Sequence, residues 1–209
     1  ESRVDEAGNL WFDAASPESG ILLCAHMDKV GKANEASLRN GSVVGRLDDT
    51  LGISIIIEAL HNGFRPSALF TVNEERGFSG SKHAAEQILR KNDQPKMIIV
   101  LDVSGLKKRG DGPIIYTSSG GAEFPKKGIE SLRKILEEEN IQANFIPGAH
   151  NDSFALSAIP AQNIATLQVH VDNIHTPDEA ADVGDIKKAE NILNVILRKY
   201  NKLYDELSG

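Results

Sequence analysis

The chain has 209 residues, 30 Asp+Glu against 23 Lys+Arg, a formal charge of -7 and one Cys. Hydrophobic residues at 40% and charged residues at 25% describe a globular protein long enough to bury a core, not a disordered one. The acidic balance without a dense Lys/Arg block argues against a nucleic-acid surface, no apolar run reaches the roughly 18 residues of a membrane span, and one Cys cannot close an internal disulfide, which favours a reducing compartment, the cytoplasm.

Glu1 to Leu10 is mostly polar and shows no signal-peptide pattern; it also lacks an initiator Met, which leaves open a missing N-terminal segment. Short apolar runs then alternate with amphipathic ones. Gly20–Ala25, Ala68–Val72, Met97–Leu101 and Ile164–Val171 read as strands, with Val43–Val44 and Ile114–Tyr116 as weaker ones. Ile53, Ile56, Ile57 and Leu60 share one helix face, as do Ala84, Ala85, Ile88 and Leu89 after a capping serine at Ser79 or Ser81. Ile129, Leu132, Ile135 and Leu136 form a third face starting near Pro125. A long terminal helix runs from Ile186 to Leu203, with Asp185 as its cap. This alternation predicts an α/β fold, a mostly parallel central sheet with helices on both faces, in which ligands bind beyond the carboxyl ends of the strands.

Those strand ends carry the chemistry. The first leads into His26-Met27-Asp28, the first helix opens on Asp48-Asp49, the second strand leads through Asn73 into Glu74-Glu75, the third into Asp102, and the last towards His175-Thr176-Pro177. A single acid after a strand is more simply a cap or a solvated charge. Two imidazoles and five carboxylates converging on one edge, with Arg46 as the one nearby base, repel unless a cation lies among them. Imidazole and carboxylate without thiolate suit Zn²⁺, with Co²⁺ or Mn²⁺ compatible. His26 and His175 supply one imidazole per ion. Asp48 can bridge, and Glu75 and Asp102 complete one sphere each, which is the two-metal layout of hydrolysis. Asp28, two residues after His26, is expected on the same face, accepting from the imidazole nitrogen turned away from the metal. Glu74 is left to serve as general base.

Ala25-His26-Met27-Asp28, Leu47-Asp48-Asp49-Thr50-Leu51-Gly52, Glu74-Glu75-Arg76-Gly77, Val100-Leu101-Asp102 and Ile174-His175-Thr176-Pro177 resemble, in order, the motifs of the co-catalytic zinc aminopeptidase/carboxypeptidase superfamily. The resemblance implies the zinc-dependent exopeptidase fold and the same roles: His26, Asp48, Glu75, Asp102 and His175 as metal ligands, Asp28 orienting His26, and Glu74 as the base. It also implies a cis peptide between Asp48 and Asp49. Only 21 residues separate His26 from Asp48, which leaves no room for the domain inserted there in M42 enzymes, and Asp102 to His175 is too short for the M20 lid. The spacing therefore resembles the compact M28 branch, although the wording around His26 and Glu74-Glu75 also resembles M42. Residues 1–209 are read as one catalytic domain without an inserted lid or dimerisation domain.

His150-Asn151-Asp152-Ser153 follows Pro147-Gly148, and His150 and Asp152 are candidate substrate contacts, balanced against a surface turn with Asp152 as a cap. His61, His83, His170 and Cys24 read as structural. The expected activity is amide-bond hydrolysis at a peptide N-terminus, because an acidic site attracts the substrate's free amine. A carboxypeptidase, which would need Arg46, Arg76 or Lys29 for a carboxylate, or an N-acyl amino acid amidohydrolase stays open. So do a single-zinc glutaminyl cyclase and a non-catalytic peptide-binding relative. The expected partner is a peptide or amino acid derivative, with neither nucleic acid nor membrane; the oligomeric state is left open.

Overall fold

The computed structural model describes residues 1–16, 20–90 and 94–208. The elements in chain order are β1 (Ser2–Val4), β2 (Leu10–Phe12), β3 (Ile21–His26), β4 (Ser37–Arg39), β5 (Ser42–Gly45), α1 (Thr50–His61), β6 (Ser67–Thr71), α2 (Ser79–Arg90), β7 (Met97–Ser104) and β8 (Ile114–Tyr116). They continue with β9 (Ser118–Ser119), β10 (Ala122–Glu123), α3 (Lys126–Glu138), β11 (Asn144–Ile146), α4 (Ser153–Leu156), β12 (Ile164–His170), β13 (Glu179–Asp182), α5 (Val183–Arg198) and α6 (Tyr200–Ser208).

Eight strands form one sheet in the order β1-β2-β6-β3-β7-β12-β8-β11. The central β6-β3-β7-β12 block is parallel, and antiparallel pairs appear where β2 meets β6 and β8 meets β12. The central strands explain their own placement. Ile21–His26, Met97–Ser104 and Ile164–His170 are buried at every position, as strands covered on both faces must be. The chain leaves β3 through α1 to reach β6 on one side, then returns through α2 to β7 on the other. Right-handed crossovers in opposite directions put α1 and α2 on opposite faces. The strand order therefore reverses around β3, and His26 is the last residue of that strand, at the point where such sheets open a crevice.

Four local expectations are corrected. The buried face of α1 is Leu51, Ile55, Ile56 and Ala59, while Ile57 is 44% exposed. Three successive isoleucines, Ile55 to Ile57, let the apolar pattern fit more than one helical phase. Leu89 of α2 also faces out, whereas Ile129, Leu132, Ile135 and Leu136 of α3 are all buried. The terminal helix is two helices broken at Lys199, and apolar spacing could not reveal the break because Tyr200 and Leu203 continue the buried stripe. Its cap is Asp182, whose carboxylate accepts from Gly184 N and Asp185 N. Asp185 is buried in the first turn instead, accepting from Gly110 N and Gly112 N of the loop after β7.

A second, three-stranded sheet, β13-β5-β4, was legible only at Val43–Val44. Its strands β4 and β5 make up the link between His26 and Asp48, and β5 pairs with β13, the strand that follows the loop carrying His175.

Candidate dinuclear metal centre

The predicted ligands converge. His26 ends β3, Asp48 precedes α1 across a cis peptide to Asp49, and Glu74 and Glu75 lie in a 3-10 turn after β6. Asp102 lies inside β7, paired with Gln168 of β12, rather than beyond the strand as the apolar run implied. His175 sits in the loop between β12 and β13 at φ +68°. Asp49 caps α1 by accepting from Gly52 N at 2.8 Å, which aims the start of the helix, and with it Asp48, at the end of β3.

The arrangement is two triads that share one carboxylate. Asp48 Oδ1 lies 2.9 Å from His26 Nε2, and that same nitrogen is 3.7 Å from Asp102 Oδ1. Asp48 Oδ2 faces the other way, 3.2 Å from His175 Nε2, which is 3.3 Å from Glu75 Oε2. Ligand atoms of His26, Asp48 and Asp102, and those of Asp48, Glu75 and His175, fall within 4.8 Å of one another in each set. A third such set is His26, Glu74 and Glu75, which puts the expected base beside both triads.

The electrostatics of these protein groups show strain that a cation relieves. Burial, followed by the charge of Asp102, pushes the Glu74 carboxyl up to about 9. Burial and then the charge of Asp48 push Glu75 up to about 7. Burial also raises Asp102. Burial opposes a charge on His26, but its hydrogen bonds with Asp102 and Asp48 outweigh that and raise it. Glu75 Oε1 is buried without a hydrogen-bond partner, a costly position for a carboxylate oxygen. Imidazoles and carboxylates around an unpartnered buried oxygen, with no thiolate in either triad, fit two divalent ions of the zinc type.

Asp28 does not play the part expected of its carboxylate. His26 Nδ1 is 3.0 Å from the backbone carbonyl of Asp28 and 3.7 Å from its carboxylate. The carboxylate instead accepts from Glu74 N at 3.0 Å and Glu75 N at 3.2 Å. The reason is that β3 ends at His26, so the period-two rule that put both side chains on one face no longer holds at Asp28.

His150 and Asp152 part company. His150 lines the cavity in front of the triads, edge-on to Phe78 with ring centroids 5.2 Å apart. Asp152 is 1% exposed and packs against β3 and β6, accepting from the Thr71 hydroxyl and lying 3.9 Å from Cys24 Sγ. It contacts no part of the cavity and gives α4 no side-chain cap, so both readings of it fail. Its sequence neighbours are polar, and nothing in them announced that the loop folds inward.

The cavity has a volume of about 360 Å³, and its walls include Phe78, Val103 and Ile174 besides the triads; neither Lys nor Arg lines it among the described residues. Of the cations named from sequence, Arg76 is exposed and outside the cavity lining, and the other two are engaged with backbone carbonyls. Lys29 Nζ donates to the carbonyls of Arg46 and Asp48, and Arg46 donates to the Val30 carbonyl.

Sequence reasoning missed Glu179. It is 2% exposed, and its carboxylate accepts from Leu47 N, Asp48 N and His175 N. The signal was its position four residues after His175, just past Thr176-Pro177, but an acid outside any predicted strand reads as a solvated charge.

With this geometry in hand, comparison with known proteins is decisive on family. The model of the M42 glutamyl aminopeptidases matches residues 32–192. The chain belongs to the M42 family. The M28-like branch taken from spacing is not what this match supports. Spacing registered the short link between His26 and Asp48, bridged here by β4 and β5, whereas of the two M42-like wordings Glu74-Glu75-Arg76-Gly77 lies within the matched residues. A curated relative of this M42 chain, "Putative aminopeptidase" of Acetivibrio thermocellus, is 25% identical over 92% of the chain and 64% of its own length, so the chain spans less than two-thirds of that protein. Among solved structures, the aminopeptidase APDkam598 of the archaeon Desulfurococcus kamchatkensis superposes with a TM-score of 0.78 at 16% identity, over 100% of this chain and 88% of that one. The Pyrococcus horikoshii TET1 peptidase, described as assembling into a tetrahedron or an octahedral shell, gives 0.75 at 19% identity over 94% and 89%. These likenesses confirm the α/β fold. Among the described residues no helix is long and apolar enough to cross a membrane.

Proposed function

We propose that this M42 chain is a dinuclear-metal aminopeptidase in which His26, Asp48 and Asp102 hold one divalent ion and Asp48, Glu75 and His175 hold the other. The observation that carries the reading is the pair of triads sharing Asp48, each of its oxygens facing a different imidazole. When bound, two such ions, most simply zinc, acidify a water and polarise the scissile carbonyl.

The protein's own groups supply the rest. Glu74 lies beside both triads without belonging to either, so its carboxylate is free to take the proton of the attacking water and return it to the leaving amine. Asp28 holds the turn that carries Glu74, through the two backbone amides. The acidic cavity attracts a substrate ammonium group, and the absence of a lining cation among the described residues disfavours a substrate carboxylate. That favours cleavage at the N-terminus over carboxypeptidase action, and the second triad speaks against a single-zinc cyclase. His150 contacts substrate from the rim. The apparatus lies in one domain, with the β4–β5 hairpin where a domain insertion would enter. A buried, unpaired Cys24 fits a reducing compartment, and we place the protein in the cytoplasm.

The test is metal analysis of the purified chain alongside hydrolysis of amino acid amides, N-blocked peptides and N-acyl amino acids, repeated with Glu74→Gln. The expected result is two ions per chain, turnover of unblocked amides, and a loss of about 10²–10⁴ in kcat for the variant with its metal content unchanged. One ion per chain with cyclisation of N-terminal glutamine, or turnover of N-acyl amino acids alone, would overturn it.

A further inference from the structure

Glu179 joins two parts of the centre, the Leu47–Asp48 and His175 loops, that lie far apart in the chain. Its Oε2 accepts from Leu47 N and from Asp48 N at 3.0 Å, and its Oε1 accepts from His175 N at 2.8 Å. The side chain is almost wholly buried, on β13, and the antiparallel pairing of β13 with β5 places it between the two loops. A buried carboxylate that spends both oxygens on backbone amides contributes charge-assisted hydrogen bonds, and each amide would otherwise be an unsatisfied donor.

We infer that Glu179 is a positioning residue for the metal pair, a clasp whose single carboxylate fixes Asp48 and His175 relative to each other. This rests on the dinuclear reading above.

The two metal positions depend on the clasp unequally. Asp48 has other supports: His26 Nε2 against its Oδ1, Lys29 Nζ on its carbonyl at 3.0 Å, and the cap of α1 that follows it. His175 has fewer. Its side chain is 51% exposed and its backbone is held in the left-handed region on a surface loop. Its amide hydrogen bond to Glu179 ties the ligand itself to the buried structure. Loss of the clasp should therefore free His175 far more than Asp48. The position formed by Asp48, Glu75 and His175 weakens, and the one formed by His26, Asp48 and Asp102 persists.

Glu179→Gln tests this, because the variant keeps the shape but presents an NH₂ group to one of the amides. Zn²⁺ titrated calorimetrically into the metal-stripped full chain should give two tight sites for the wild type. For the variant it should give one site of wild-type affinity and one weakened about 10–100-fold, the usual cost of removing an outer support of a ligand. Saturating Zn²⁺ should restore kcat with KM unchanged, and Co²⁺ absorption at sub-saturating metal should show one occupied position. Two sites of unchanged affinity, or both weakened equally, would overturn the clasp while leaving the dinuclear reading intact. A wild-type chain that binds fewer than two ions would instead overturn the reading on which it rests. Should the variant not fold, amide exchange on the wild type decides: Leu47, Asp48 and His175 should exchange as one cooperative group, and three independent rates would refute the clasp.

Discussion

Replacing Asp28 with Asn separates the two roles this residue could have. Its carboxylate accepts from Glu74 N at 3.0 Å and Glu75 N at 3.2 Å, and its side chain is only 20% exposed. Asparagine keeps one oxygen acceptor and turns an NH₂ group towards the other amide, so one hydrogen bond to a charged acceptor is lost. Such bonds contribute about 1.5–3 kcal/mol. For a domain of this size each kcal/mol lowers the melting temperature by about 2–4 °C, so Asp28→Asn should melt about 3–12 °C below the wild type. The loss is local to the turn that carries Glu74 and Glu75. Amide exchange there should quicken, and kcat should fall with it because the base loses its support. Circular dichroism melting, exchange at the two amides and turnover of an amino acid amide measure the three quantities. A variant that melts within about 1 °C of the wild type with unchanged turn exchange would refute the reasoning. If only the His26 ring resonances moved, the carboxylate would be orienting the imidazole after all.

Two further outcomes follow from structure away from the ligands. Gly120 has φ +56°, and an added Cβ would overlap the Phe154 ring; Gly120→Ala should cost about 1–2 kcal/mol for the left-handed backbone and about 1 kcal/mol for the overlap, at the low end for overpacking because Phe154 is partly exposed and can move. Urea denaturation should show Phe154→Ala removing only the overlap part in the Gly120→Ala background; full recovery or none would refute that division. Asp5 accepts from Trp11 Nε1 at 2.8 Å and from Asn9 N and Nδ2, both at 2.9 Å. Burial works to raise its carboxyl, but the bonds from Trp11 and Asn9 outweigh that and hold it below the ordinary value. Because the folded value is depressed, its stabilisation is present above about pH 4 and disappears as pH falls through the folded value. Asp5→Asn should therefore lower stability at pH 7 and lose less stability than the wild type between about pH 5 and pH 2; parallel stability curves for the two would refute this.

How far the chain could be read follows from the range of each interaction. The four central strands were legible because strands covered on both faces are mostly apolar, and that leaves short apolar runs, Ile21–Ala25 and Met97–Leu101 among them. The convergence of the proposed ligands was legible for a related reason: an α/β sheet delivers strand ends to one edge, so residues adjacent to apolar runs become neighbours in space. The short edge strands and the second sheet left no such run. They are too brief to carry a period, and β13 is largely buried because β5, β12 and α5 lie against it. The inward fold of Asn151–Ser153 was illegible as well, since the same polar residues suit a surface turn.

By itself, the amino-acid sequence determined the class of fold, the order of the proposed ligands and the chemistry such residues can support, because these depend on residue type and on spacing within single elements. Only the tertiary structure decided that Asp48 turns one oxygen to each imidazole, that Asp28 grips the turn carrying Glu74 instead of the His26 ring, and that Glu179 reaches both ligand loops. Each of these is a hydrogen bond or contact between segments distant in the chain, with partners chosen by strand register and crossover, and neither composition nor local periodicity encodes that choice.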